Sequence, residues 1–425
     1  MFSSVKILTS FSNQPISYGI KQAVLVSVNK IDDDGMISDR PIHSFGLNCL
    51  LSFGWRDEMD ALRYYLVPMV TLAAIAGFVL GGPFVWLGIG TFPVLMLLDI
   101  ALPSDRKMRV RGISAAADFA IYLHFPLMIA LYLAFAYSVE SGSNLIWGAP
   151  SSSWQLAGSI ASLAWLSSVP TLPVAHELMH RRHWFPRALA KGLSAFYGDP
   201  NRDIAHIVTH HVHLDTQKDS DTPPRGQTIY SFVLSATWGS YRDTWEKQGE
   251  MLSRMGYSTW SWRNAMWLLP ILLGTIVGGA TLLAGPVAGI ATAVAIFLAK
   301  MLIEGFNYFQ HYGLIRIEGE PIAKHHAWNH LGMISRPIGV EITNHINHHL
   351  DGHTPFYELQ PECDAPQMPS LFLCFLCGLV PPIWHRFIAQ PRLKDWDTRF
   401  ASPGERKLAD AANAQAGWPQ WLATA

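Results

Sequence analysis

The residues of this sequence best suited to chemistry are nine histidines in four short motifs. The motifs are HELMH with His176 and His180, HIVTHH with His206, His210 and His211, FQHYG with His311, and NHINHH with His345, His348 and His349. Spacings of three and four residues recur, so each motif can present its imidazoles on one face of a helix. Imidazole binds iron, copper, zinc and nickel. One ion takes about four to six ligands, so nine histidines fit two metal ions rather than one.

Carboxylates close to these motifs are candidates to orient the ligand rings. Metal-bound histidines usually donate their second ring N–H to a carboxylate or a carbonyl. By position the candidates are Glu177, Asp203, Asp215, Glu304 and Glu341. An ordinary polar surface role is the alternative, and for Asp215 the sequence favours neither. Glu304 follows an apolar run, where a carboxylate is unfavourable unless it is paired.

HELMH also matches the H-E-x-x-H pattern of zinc metalloproteases, in which Glu177 would be the general base. Such a site needs one further ligand, and the other motifs would then have no role. The protease is therefore the weaker interpretation. The remaining histidines stand outside the repeating pattern and are predicted to be structural: His43, His124, His183, His213, His325, His326, His330, His353 and His385.

The composition indicates a membrane protein. Of 425 residues, 50% are hydrophobic and only 15% are charged, whereas soluble chains carry about 25% charged residues. The formal net charge of −1 gives no basic field for nucleic acid.

Six apolar runs predict an all-α, six-helix membrane bundle. Each is close to the roughly 20 residues that cross a bilayer as a helix, and they cover residues 64–80, 84–102, 119–139, 154–174, 267–283 and 286–303. Two joints, Gly81-Gly82-Pro83 and Ala284-Gly285-Pro286, are short enough to predict tight hairpins. The run 370–389 is interrupted by two prolines and is predicted to lie at the membrane interface rather than to form a seventh span.

The distribution of Lys and Arg predicts the orientation. The loop after the second run carries four basic residues between Arg106 and Arg111, whereas 140–153 contains none. The positive-inside rule then places the loop between the second and third runs, both termini and every histidine motif on the cytoplasmic side of a bacterial inner (plasma) membrane, and the two hairpin joints outside.

The first 58 residues are mixed in character and carry no signal-peptide pattern. They are predicted to be a polar extension that is disordered or that precedes the biological start at Met59, with the membrane domain at 59–425. A chain that begins at Met59 is expected to insert and function.

The four histidine motifs, together with FYGDPNRDIAHIVTHH, EGFNYFQHYGL and EITNHINHHLDGHTPFYEL, resemble the membrane-bound non-haem di-iron family of alkane hydroxylases, fatty acid desaturases and xylene monooxygenases. The resemblance runs from Met59 to near the C-terminus. It implies that the nine histidines hold two iron ions in a cytoplasmic domain and that O2 is a cosubstrate. Alkane hydroxylases typically carry Glu where this chain has Gln310, which favours the aryl-methyl branch. The expected reaction is hydroxylation of a toluene-like or xylene-like methyl group to a benzylic alcohol; an alkane or fatty-acyl hydroxylase or desaturase is the alternative.

The sequence lacks a dinucleotide-binding glycine motif and an iron–sulfur cysteine set, so the electrons must come from another protein. The resemblance implies a reductase with flavin and iron–sulfur groups that uses NADH. A docking patch is predicted from Arg181, Arg182, Arg187, Lys191 and Arg202, with the positive-inside bias as the alternative explanation. A histidine-rich metal transporter is the alternative of another class, but its ligands would lie in mid-span rather than at span ends.

Overall fold

The computed structural model describes residues 57–108, 114–141 and 152–422. The predicted extension at 1–58 lies almost entirely outside these ranges. The described residues form α-helices joined by loops, turns and short 3-10 and π-helical segments, and they contain no β-strand. The prediction of an all-α protein is confirmed.

The described part of the chain contains sixteen α-helices. In order they are α1 Leu66–Leu80, α2 Leu87–Ala101, α3 Ser114–Ser141, α4 Ser153–Ser167, α5 Thr171–Met179, α6 Trp184–Ala195, α7 Arg202–Ile204, α8 His211–His213, α9 Ile229–Arg254, α10 Leu268–Asn307, α11 Ser335–Ile338, α12 His345–Leu350, α13 Leu371–Gly378, α14 Pro381–Ile383, α15 Gln390–Arg399 and α16 Pro403–Gln415.

Both predicted hairpins are present. Gly81 and Gly82 adopt positive φ angles of 70° and 55°, which only glycine adopts without strain. In α10 the backbone leaves helical geometry at Ala284 and Gly285. A Cβ atom on Gly289 would collide with the Thr281 side chain. Residues eight apart in a straight helix are separated by about 12 Å, so α10 folds back on itself as two antiparallel halves.

The fourth predicted run, 154–174, is not one helix. α4 ends at Ser167, Ser168 has a non-helical ψ of −100°, and α5 begins after Pro170. Proline lacks the N–H that would continue the helix, and the prediction of one continuous span here is wrong. In the described residues four helices are long and apolar enough to cross a membrane: Asp60–Leu80, Gly82–Ala101, Ser114–Val139 and Ala265–Asn307, the last of which contains the fifth and sixth predicted runs.

Buried polar contacts tie the loops that carry the histidines to this bundle. Asp99, near the end of α2, accepts hydrogen bonds from the backbone N–H groups of Ile334 and Ser335 and from the Ser370 hydroxyl. Arg336 donates to Glu341 over 2.7 Å. These contacts fix the loop that leads into α12.

Candidate metal centre

The structure brings all nine predicted histidines together in two adjacent groups. The first group contains His176, His180, His206, His211 and His348, and the second contains His210, His311, His345 and His349. Within each group the atoms available as ligands lie within 4.8 Å of one another.

The five-histidine group is assembled from α5, the segment 205–213 and α12. Nε2 of His176 lies 2.8 Å from Nε2 of His206, and Nε2 of His206 lies 3.1 Å from Nε2 of His211. The ring of His348 approaches that of His180 with a centroid distance of 4.5 Å. These nitrogens therefore converge on one small volume.

A π-helical turn decides how the HIVTHH motif is divided. The segment Ala205–His210 is π-helical, so a residue five positions further on lies much closer to the same side than it would in an α-helix. His206 and His211 are five apart and share the first group, whereas His210 belongs to the second. The expectation that this motif places all its rings on one α-helical face is wrong for this reason.

The four-histidine group is more deeply buried. Nε2 of His345 lies 2.7 Å from Nε2 of His311 and 3.1 Å from Nε2 of His349. The ring of His210 lies 4.9 Å from that of His311 between centroids. All four side chains are buried, so bulk water does not reach this group directly.

Two aspartates hold imidazoles of the four-histidine group. Nδ1–H of His210 donates to Asp219 over 2.9 Å, and Nδ1–H of His311 donates to Asp215 over 3.1 Å. Both aspartates are buried. Asp219 was missed in the sequence because it follows a turn after the motif, at a spacing that marks no helical face. Asp215 was one of the candidates by position.

The other predicted carboxylates have basic partners in the structure. The ion pairs are Glu177 with Arg181, Asp203 with Lys191, Glu304 with Arg202 and Lys300, and Glu341 with Arg336. In the described residues these four carboxylates bond to basic side chains, whereas Asp215 and Asp219 bond to imidazoles.

Protonation and hydrogen bonding make these groups suited to a metal ion. Burial lowers the pKa of His176, His206 and His348 well below the usual range, which leaves neutral imidazoles with a free lone pair. Burial alone would also lower the pKa of His210, but the Asp219 carboxylate raises it. Nε2 of His180 and of His348 is buried and has no hydrogen-bond partner among the described residues. Buried orphan nitrogens in an all-imidazole group are what a metal ion would satisfy.

Comparison with known proteins agrees with this geometry. A family model described as fatty acid desaturase matches residues 152–364. The chain is 57% identical over 363 residues to the xylene/toluene monooxygenase hydroxylase component of Pseudomonas putida, covering 85% of this chain and 97% of that relative. It is 28% identical over 283 residues to the alkane 1-monooxygenase of Ectopseudomonas oleovorans, covering 65% of this chain and 68% of that relative. The chain belongs to the xylene monooxygenase and alkane hydroxylase family of fatty acid desaturase-like proteins. It is an oxidoreductase, a membrane monooxygenase of the alkane hydroxylase family.

The protease interpretation has no support in the contacts of this monooxygenase. Glu177, which would be the general base, accepts from Arg181 over 2.9 Å, and Arg181 also donates to Asp118. His176 and His180 both lie in the five-histidine group.

A third group, His325, His326 and Glu405, has the spacing of a metal site but different hydrogen bonding. Nδ1 of His326 accepts the backbone N–H of Ala323, so a neutral ring carries its proton on Nε2 and donates it to Glu405 over 2.6 Å. Glu405 also caps α16 by accepting from the Ser402 backbone. These contacts join the segment 323–326 to the start of α16, and the structural role expected of both histidines stays a prediction.

The predicted docking patch is not one surface of free cations. Arg202 is buried and paired with Asp221 and Glu304, while Lys191 pairs with Asp203. Arg182 and Arg187 are exposed. These side chains were grouped because they are close together in the sequence, but Arg202, at the start of α7, lies in the core.

Proposed function

We propose that this monooxygenase hydroxylates the methyl group of toluene-like or xylene-like aromatics, with one iron ion in each histidine group. One atom of O2 enters the methyl C–H bond to give the benzylic alcohol, and the other leaves as water after two electrons and two protons are added. The observation that carries the proposal is the pair of adjacent imidazole groups formed by one set of nine side chains. The rings of His211 and His349, from different groups, are only 4.5 Å apart between centroids.

Iron in these sites would supply the activation of O2. The residues of the chain would bind the ions and orient the ligands. Neutral imidazoles would hold the ions, and Asp215 and Asp219 orient His311 and His210 by accepting the Nδ1–H groups of these histidines. The burial of the four-histidine group limits access of bulk water, which would otherwise compete with an apolar substrate.

The aryl-methyl branch is supported by sequence rather than by a pocket. The relative with 57% identity is named for xylene and toluene, and position 310 is glutamine beside His311. Gln310 is buried, so a glutamate there would add a buried charge next to a ligand. An alkane or fatty-acyl substrate on the same scaffold is the second candidate, favoured by the alkane 1-monooxygenase relatives. The apolar substrate would enter from the lipid between the helices.

Electrons would come from a separate NADH-dependent reductase with flavin and iron–sulfur groups. The Lys and Arg distribution supports placement of both termini and the metal centre on the cytoplasmic side of the inner membrane, where NADH is available.

The test is product analysis in cells that express the full chain with such a reductase. Toluene, p-xylene, octane and a fatty acid are supplied separately, and benzylic alcohols are expected as the main products. Octanol or a hydroxylated fatty acid as the main product would assign the chain to the second candidate. The His345→Ala variant should be inactive, and His353→Ala, a neighbouring histidine outside both groups, should remain active.

Elemental analysis of the purified chain tests the metal separately. About two irons per chain are expected, one for each histidine group. One zinc without iron would overturn the proposal.

A further inference from the structure

The first half of α9 exposes large apolar side chains that no other part of the described chain covers. Tyr230 is 58% exposed, Leu234 67% and Trp238 70%. They are spaced four apart, so they follow one another along successive turns. Between 229 and 241 the sequence contains no charged residue.

The character of α9 changes after Trp238. Four of the six exposed positions in its second half are charged: Arg242, Glu246, Glu250 and Arg254; the other two are Met251 and Ser253. One helix therefore carries an apolar exposed section followed by a polar one. Large apolar side chains that are exposed in succession are typical of a surface that contacts lipid or another protein.

A second exposed apolar section lies beside the first. Val380, Ile383 and Phe387, in the region of α14, are 45%, 42% and 66% exposed. The two sections are joined because the Tyr230 hydroxyl donates to the carbonyl oxygen of Leu379 over 2.7 Å. We call these six side chains the apolar patch: Tyr230, Leu234, Trp238, Val380, Ile383 and Phe387.

The apolar patch is continuous with the candidate membrane spans. Phe375 of α13, just before the patch, stacks on Phe306 of α10 at 4.4 Å and meets Phe92 of α2 edge-on. Gly305 of α10 faces Ile229 at the start of α9. The patch therefore adjoins the end of the bundle, where lipid surrounds the spans.

The charges at the patch fit phospholipid headgroups. Within 370–389 the one charged side chain is Arg386, whose guanidinium lies 5.7 Å from the centre of the Phe387 ring. Arginine next to exposed aromatic rings is typical of segments at the membrane interface, where the rings enter the lipid and the cation meets the phosphates.

We propose that the first half of α9 and the α14 region lie in the bilayer interface, with the apolar patch inserted among phospholipids. This assigns α9 a lipid-binding surface that its sequence does not mark, and it extends to a second element the interfacial location predicted for 370–389. A soluble redox partner is the less favoured occupant because the patch adjoins the candidate spans. A second copy of the chain is the other alternative.

Photo-crosslinking of the full chain in lipid tests the proposal. Leu234 is replaced by p-benzoylphenylalanine, and Glu246 on the same helix is replaced in a matched control. Each variant is placed in nanodiscs of phosphatidylethanolamine and phosphatidylglycerol, irradiated and analysed by peptide mass spectrometry. A phospholipid adduct at 234 and none at 246 is expected.

Equal lipid adducts at both positions, or none at 234, would overturn the proposal. The same variants irradiated in cells distinguish the other occupants: crosslinking at 234 to a second copy or to a reductase in place of lipid would also overturn it. Replacement of Phe387 by the same photoreactive residue keeps an aromatic ring in place, so this variant decides the question if the Leu234 variant fails to insert. It should also give a phospholipid adduct.

Discussion

Asp219 should control the affinity of one iron and leave the other unchanged. Its carboxylate accepts Nδ1–H of His210 over 2.9 Å, the Thr222 hydroxyl over 2.6 Å and the backbone N–H of Asp221 over 3.0 Å. His210 belongs to the four-histidine group. Removing the charge of Asp219 therefore changes one ligand of one proposed iron.

The expected loss of iron affinity can be estimated from the hydrogen bond between Asp219 and His210. In Asp219→Asn the amide oxygen can still accept Nδ1–H of His210, but the bond is no longer assisted by charge. Charge-assisted bonds contribute about 1.5–3 kcal/mol and neutral ones about 0.5–1.5 kcal/mol, so the loss is about 1–1.5 kcal/mol. At about 1.4 kcal/mol per factor of ten, iron affinity in this group should fall about tenfold. Asp219→Ala leaves the buried N–H unpaired and should weaken binding further, to about 100-fold at most.

The assay is anaerobic competition for Fe(II) with a graded series of chelator concentrations, followed by iron determination per chain. The Asp219→Asn protein should release one iron at about tenfold lower chelator concentration and the second at the wild-type concentration. Asp215→Asn should weaken the same iron because His311 lies in the same group. Asp203→Asn is the matched control, since its carboxylate accepts from Lys191 over 2.7 Å, and it should behave like wild type.

Three results would refute this reasoning. Wild-type release curves for both Asp219 variants would mean that the carboxylate does not support a metal ligand. Loss of both irons together would contradict two separable sites. An equal loss in Asp203→Asn would show a general effect of charge near the centre. A melting temperature measured for each variant excludes simple unfolding as the cause.

Three further predictions concern stability and topology. Arg225→Ala leaves the buried carboxylate of Asp397 without its basic partner and should destabilise the purified chain by about 3–5 kcal/mol, measured by thermal unfolding. Arg399→Ala, at an exposed ion pair, should have little effect, and equal effects of the two variants would contradict the role of burial. Burial raises the pKa of Glu405, but hydrogen bonds from two histidines and Ser402 lower it overall, below the unfolded value of 4.5. Its stabilisation is therefore present above that value and is lost as the pH falls below it. The difference in melting temperature between wild type and Glu405→Gln should be constant at higher pH and shrink below the unfolded value, and a difference that stays constant there would be inconsistent with a charged Glu405. A reporter active only in the cytoplasm should be active when fused after Ala425 and silent after Ser143, and the reverse pattern would contradict the proposed orientation.

The sequence by itself determined the donor set and much of the scaffold. The nine histidines, their short motifs and the family resemblance are local features of the chain, and the structure gathers all nine. The hairpins at Gly81 and Gly285 were also predictable, because a positive φ at glycine between apolar runs depends on neighbouring residues only.

Only the tertiary structure decided how those residues are divided. The five–four division depends on a π-helical turn at Ala205–His210, and an α-helical spacing rule cannot predict it. The partners of the rings were also beyond the sequence. Asp219 reaches His210 across a turn, while Glu304 pairs with Arg202, which is 102 positions away in the chain.

The same limit applies to the exposed surface of the protein. In the sequence of α9, Tyr230, Leu234 and Trp238 cannot be distinguished from core residues such as Phe232, since hydrophobicity does not record which side of a helix has a neighbour. The structure buries Phe232 and leaves the other three exposed. Side-chain type is a property of the sequence, whereas the neighbours of a side chain depend on packing between elements distant in the chain.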